Sequence, residues 1–311
     1  MLNIVADCPN RENLRLGAND KYRKFIVQAA ARAEILPHAV AAMINAEAAK
    51  IRLLVERPVY FKGKQKLKAD GSPLTKKKSI STGEWDPRSA AQRSSARGMC
   101  QFVDATWIGL AVAKSTFLHE KVMELGLFKR DAGGKLSFIL ESGKSKPLTI
   151  AALRSHITKS GTADDANIQA ILDLRFDAEY AIQSMVDYSI QNEKSLIAKN
   201  YLLKSLNLSE RAKLMYATHH LGPRNIIHYI NETFSEKSAK SLLIDQLGEK
   251  RARDFAEERD GDFISAHRCW LNDYIEQKIV LKMFACDPAA ISDGRTIVEI
   301  VKAIKEREDE A

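Results

Sequence analysis

Glu47 is a carboxylate set into an apolar helical stripe: Val40 and Ile44 precede it at helical spacing, and Ile51 follows four residues on. Burial on such a face disfavours the ionised form, and the raised pKa suits a proton donor near neutral pH. Breaking a glycosidic bond needs such a donor for the leaving oxygen. The plain alternative is a glutamate at a helix end that turns to water or pairs with Lys50.

The second stretch with chemical content is Ser94-Ser95-Ala96-Arg97-Gly98-Met99-Cys100-Gln101-Phe102, running on to Thr106-Trp107. It reads as a turn entering a helix. Gly98 allows close approach of backbone to a ligand. Ser94, Ser95 and Gln101 offer polar atoms to hydroxyl or acetamido groups, while Phe102 and Trp107 can anchor the helix that follows. A serine-rich helix start with ordinary core aromatics is the plainer reading. His219 and His220 are adjacent, so on a helix they point about 100° apart. With no Glu-x-x-His partner pattern, they are expected to bind sugar or serve the structure rather than hold a metal. No cofactor is expected.

These residues need helices to place them. Asp20 can cap a helix over roughly 21–34, and Pro37 suits the first turn of a second helix running to about Ile51. From 58 to 82 the period changes to two: Lys62, Lys64, Lys66 and Lys68 fall on one strand face, Asp70-Gly71-Ser72-Pro73 marks a turn, and 76–82 runs back. Helical pattern resumes over 104–125, and a polar, Gly-bearing stretch at 129–146 reads as a loop or small hairpin. Further helices are expected at roughly 148–159, 164–174, 177–199 (capped by Asp177), 209–221, 223–233, 235–246, 248–259, 261–285 and 294–308, before a charged tail at 305–310. The fold class is mainly α.

Length and composition agree, since 311 residues with 45% hydrophobic and 28% charged content can build a substantial core, and glycine (15) and proline (8) are sparse. The net charge of +8 favours anionic polymers without choosing among nucleic acid, membrane surface and cell wall. Cys8, Cys100, Cys269 and Cys286 lack paired or metal-ligand spacing and are expected as free thiols. Neither a signal-peptide pattern nor an apolar run of transmembrane length is present in the sequence. The chain is therefore expected to be made in the cytoplasm, with delivery by another route if it acts on a wall.

Three segments in order, "ILPHAVAAMINAEA", "WDPRSAAQRSSARGMCQFVDATW" and "MYATHHLGP", resemble the lytic transglycosylase family, whose lysozyme-like fold is similar to goose-type lysozyme. The resemblance covers roughly 22–110 and 175–230. It implies a muramidase that cuts the MurNAc-GlcNAc β-1,4 bond of peptidoglycan, with Glu47 as the catalytic acid. It also implies that Gly98 and Gln101 match the family's substrate-binding turn and Gly222-Pro223 its late cleft element. Three departures stand out. The Lys-rich hairpin replaces a short loop; the family's turn serine falls on Gln92, leaving Ser94 or Ser95 to take its place; and its Tyr-Asn pair falls on His219-His220, leaving Tyr216, one helical turn earlier, to supply the hydroxyl. The pattern looks most like muramidase modules of secreted antibacterial effectors and phage lysins. That likeness implies action in the periplasm or cell wall of a target or host bacterium, delivery by a secretion machine or phage lysis, and a possible immunity-protein or secretion-machine partner.

The family's transglycosylase route needs no second carboxylate, whereas a hydrolase would need one. The candidates are Glu56, Asp70, Glu84 and Asp86, with Glu84 and Asp86 preferred because they flank Trp85 where the hairpin rejoins the turn, and a salt partner such as Arg88 offers a structural role instead. The expected organisation is an N-terminal segment (1–20), a lysozyme-like domain (21–235) carrying the hairpin (58–82), and a C-terminal helical region (236–311) packed on the core or accessory to it. A glycan-binding module without catalysis is the competing class. Nucleic-acid binding through the lysine hairpin is disfavoured, since only Tyr60 and Phe61 are there to stack on bases.

Overall fold

The computed structural model describes residues 14–305, so the cysteine at position 8 and the charged tail beyond Lys305 lie outside the described residues. The chain is mainly α. Two short helices come first, α1 (Arg23–Ala33) and α2 (Pro37–Glu47). Asp20 does not cap α1 as expected: it lies in a 3-10 turn, Gly17–Tyr22, and accepts from Arg23 Nε at 2.9 Å. In α2 the small residues Ala39, Ala41 and Ala42 are buried with Val40, Met43 and Ile44, so it is sheathed on most sides by other elements.

The expected run of α2 to Ile51 is not observed, because Ala48 turns extended and ends the helix at Glu47. Ile51 belongs instead to β1 (Lys50–Pro58), where the β-branched and leucine-rich sequence suits a strand. The antiparallel arm is longer than expected. β1 pairs with β4 (Thr75–Trp85) from Lys50↔Trp85 to Pro58↔Thr75, and β2 (Tyr60–Phe61) with β3 (Lys64–Gln65) continues it outward. Lys62 (φ 48°) and Gly63 (φ 78°) both take left-handed backbone, the signature of a tight hairpin turn. The alternating lysines therefore straddle a reversal and do not share one strand face.

The helix expected over 104–125 divides into α3 (Asp104–Val112) and α4 (Phe117–Glu124). Thr116 makes the break by donating to Leu110 O at 2.7 Å and capping His119 N at 3.1 Å. The polar stretch after it is a three-stranded sheet of β5 (Phe128–Arg130), β6 (Leu136–Ile139) and β7 (Ser145–Pro147). Two short helices, α5 (Ile150–Arg154) and α6 (Ala166–Asp173), lead to α7 (Ala178–Ile197), which Asp177 caps as expected. α8 (Leu208–Asn231) opens on a capping box, Asn207 with Glu210, and bends at Gly222 (φ 74°), where two separate helices were expected.

The C-terminal region comprises α9 (Glu236–Leu247), α10 (Glu249–Glu257), α11 (Phe263–Lys278) and α12 (Ile297–Lys305). Its Leu271, Ile275, Phe284, Ile300 and Ile304 join the main core, while Leu243, Ala252, Ala256, Phe263 and Ala266 form a smaller cluster. At the other end of the chain Leu14 and Leu16 are buried in the same core, and Arg15 N donates to Phe284 O at 2.7 Å. Cys100 and Cys269 are free, but Cys286 is disulfide-bonded, which corrects the expectation of free thiols throughout. No helix among the described residues is long and apolar enough to cross a membrane.

Candidate active site

A cleft of about 590 Å³ opens where the end of α2, the turn before α3, the bend of α8 and the C-terminal helices meet. Glu47, the last residue of α2, lies in its lining. Burial pushes the Glu47 carboxyl up to about 7, opposed by the Tyr216 hydroxyl, which stabilises the ionised form by hydrogen bonding. Lys50 is not its partner. The ammonium donates to Asn45 O (3.2 Å) and Ala48 O (3.0 Å), satisfying carbonyls that the end of α2 leaves open.

Two neighbouring elements hold that helix end. Tyr274 of α11 donates its hydroxyl to Ala46 O at 2.7 Å, and Trp85, where the arm returns, donates Nε1 to Asn45 Oδ1 at 3.1 Å. Tyr216 is buried in a stack, 6.0 Å from Tyr274 and 6.1 Å from His220 between ring centres, with interplanar angles of 21° and 22°.

The turn is built from inside. Ser89, buried, donates Oγ to Gly98 O at 2.9 Å, and Gln101 Nε2 donates to Gly98 O (2.7 Å) and Ser89 Oγ (3.0 Å). Both amide hydrogens of Gln101 are thus used within the turn, so toward the cleft only its acceptor oxygen is left to offer. Gly98 (φ 77°) makes its close approach to Arg175 and not to a ligand: a side chain there would overlap the Arg175 carbonyl. The Arg175 guanidinium in turn donates to Leu172 O (2.8 Å) and Ser95 O (3.0 Å).

The two serines are separated by this geometry. Ser94 lines the cleft, whereas Ser95 turns away to hydrogen-bond Asp104 at the start of α3 and lies outside the lining. His219 and His220 both line it. Burial holds His219 down to about 4 and His220 to about 3, so both are neutral at pH 7. A neutral His219 donating Nε2–H to Cys100 O (3.1 Å) leaves its buried Nδ1 as an acceptor without a protein partner. Among the described residues no group of three His, Cys, Asp or Glu is arranged to hold a metal ion.

Glu84 and Asp86 do not reach the cleft. Glu84 is ion-paired with Lys21, and Asp86 Oδ1 accepts from Arg88 N at 2.9 Å. Asp245 of α9 is the carboxylate that joins Glu47 in the lining. Partial burial raises its pKa, and the positive charge of Arg93, which also lines the cleft, pulls the other way. Asp245 belongs to an ordinary amphipathic helix with no motif, and Ser89 precedes the serine-rich stretch, so neither carries a local signal. Trp85 and Tyr274 as supports of α2 were equally silent in the sequence. No family model, curated protein or solved structure matches this chain.

Proposed function

We propose that this protein cleaves peptidoglycan glycan strands at the MurNAc-GlcNAc β-1,4 bond, by the lytic transglycosylase route on a lysozyme-like helical domain. The observation that carries this reading is a half-buried carboxyl in a cleft wall whose pKa is raised by desolvation to about 7, with Tyr216 drawing it back toward the ionised form. Near neutral pH such a group exists in both protonation states, as an acid that later acts as base must.

In the proposed reaction Glu47 gives its proton to the glycosidic oxygen as the C1–O bond breaks, with the substrate's acetamido oxygen supporting the anomeric carbon. The resulting Glu47 carboxylate then takes the proton from the muramoyl 6-hydroxyl as that oxygen closes on C1. Glu47 ends protonated and the product carries a 1,6-anhydro end. Tyr216 holds the carboxyl and favours its ionised form for the second step. The Ser94 hydroxyl and the carbonyl oxygen of the Gln101 side chain, both in the lining, suit hydroxyl and amide groups of an amino sugar. Glu84 and Asp86, the candidates flanking Trp85, are engaged elsewhere, which leaves Asp245 as the carboxylate beside Glu47 in the lining to be tested for a hydrolase.

A disulfide at Cys286 suits work in an oxidising compartment such as a periplasm. The corresponding biological role is an antibacterial effector or phage lysin, with an immunity protein or secretion component as a protein partner. Digestion of purified sacculi followed by mass analysis tests the reading. Anhydro ends support it, reducing ends replace it with hydrolysis, bound sacculi without released muropeptides indicate a binding module, and full activity in Glu47→Gln refutes any role for this acid.

A further inference from the structure

The β1/β4 arm carries a charge and an exposure that the cleft does not explain. Residues 50–82 hold ten Lys and Arg against Glu56 and Asp70, a net +8 equal to the net charge of the entire chain. No residue from Ile51 to Glu84 is buried. The arm is long as well, since the nine residues of β1 alone span about 30 Å.

Apolar side chains are displayed on the same arm. Leu53, Leu54, Tyr60, Phe61 and Leu67 are each more than half exposed. Tyr60 and Phe61 lie in β2, at the outer end, and the ammonium groups of Lys62 and Lys66 sit 5.7 Å and 5.1 Å from the Phe61 ring centre. A hairpin that ends in aromatic rings ringed by lysines, on a cationic stem with two exposed leucines, matches a surface that is anionic outside and apolar beneath. We infer that this arm docks the protein on an anionic lipid bilayer, with Tyr60, Phe61 and Leu67 entering the headgroup region and the lysines and arginines facing lipid phosphates.

Charge alone would equally fit nucleic acid or an anionic wall polymer. The apolar residues separate the cases. Tyr60 and Phe61 could stack on bases, but exposed Leu53, Leu54 and Leu67 give nothing to a phosphate backbone or a polyanionic glycan, whereas burial of such groups beneath the headgroups is the main source of interfacial binding. Aromatic and lysine side chains also suit that depth, with rings at the boundary and ammonium groups reaching outward.

Co-sedimentation of the full chain with vesicles tests this, and it does not depend on glycan cleavage because Glu47→Gln protein serves equally well. Binding is expected to vesicles of phosphatidylglycerol with phosphatidylethanolamine and not to phosphatidylcholine vesicles. A Tyr60→Ser, Phe61→Ser, Leu67→Ser variant and a variant with Lys62, Lys64, Lys66 and Lys68 changed to Gln should each lose about tenfold or more in affinity. Both sets of changes are on exposed positions, so circular dichroism and melting should match the parent. Absence of binding to anionic vesicles overturns the inference. So does full retention of binding by the serine variant, or tighter binding to duplex DNA or teichoic acid than to vesicles at the same salt.

Discussion

The Tyr216 side chain on α8 comes close enough to the Glu47 carboxyl at the end of α2 to favour its ionised form, linking two helices that are separated by more than half the chain. A hydroxyl donated to a carboxyl stabilises its ionised form, so it draws down a pKa that burial has raised. Tyr216→Phe removes that opposition, and the Glu47 pKa should rise further. In a pH–rate profile on sacculi the alkaline limb, set by loss of the Glu47 proton, should move to higher pH, with a fall of roughly tenfold or less in the maximal rate. An unmoved limb would show that Tyr216 does not act through Glu47.

Glu47 also costs stability in a defined window. Its folded-state pKa of about 7 lies above the ordinary 4.5, so the folded protein holds a proton that the unfolded chain has lost between those values. Stability should therefore fall as pH rises from 4.5 through 7, and the penalty is complete above 7. Glu47→Gln removes it, and should raise the melting temperature by a few degrees at pH 8, for roughly 1–3 kcal/mol, and by little at pH 4. Equal gains at both pH values would argue against a raised pKa.

Gly98→Ala should be severe although Gly98 does not itself line the cleft. The position has φ 77° and its missing side chain would overlap the Arg175 carbonyl, so strain and displacement act together. A loss of about 3 kcal/mol or more is expected, read by denaturant unfolding, with activity lost as the turn shifts.

Asp245→Asn distinguishes the two routes of bond cleavage. By the transglycosylase route Asp245 lines the cleft without taking part in bond breaking, so kcat should stay within about threefold while KM rises. A fall in kcat of about a thousandfold, with reducing ends among the residual products, would make Asp245 the second carboxylate of a hydrolase.

Glu210 ties the start of α8 to the C-terminal region. Its carboxylate accepts from Arg295 Nε (2.8 Å) and Nη2 (2.8 Å), and these bonds hold its pKa down to about 2. A depressed carboxylate stabilises the fold above its unfolded pKa, and that contribution should drain away as pH falls from 4.5 through 2. Glu210→Gln is expected to cost about 2 kcal/mol at pH 7, with the difference from the parent vanishing in acid unfolding experiments below that range.

Several features of the fold and cleft were legible in the chain because their causes are local. Pro37 at a first turn, the cap at Asp177 and the apolar run of α2 depend on near neighbours in sequence. The helical stripe, the residue types of the turn and the resemblance pointed to Glu47, Gln101, Tyr216 and the paired histidines, and of these Glu47, Gln101, His219 and His220 line one cleft. Where α2 ends was not legible. Ile51 fits its stripe by spacing, but strand pairing from Lys50↔Trp85 outward overrides that pattern.

What the sequence determined by itself is a mainly helical chain with a carboxylate at the end of an apolar helix and a glycine-dependent turn to face it. Tertiary structure alone decided which polar groups share the cleft. It turned Ser95 inward to Asp104 and left Ser94 in the lining, spent the Gln101 amide on Ser89 and Gly98, and brought Asp245 and Tyr274 from the C-terminal helices to the acid. The physical reason is that burial and hydrogen-bond partnership are properties of packed elements. A helix tens or hundreds of residues away supplies the partner, and no local spacing records it.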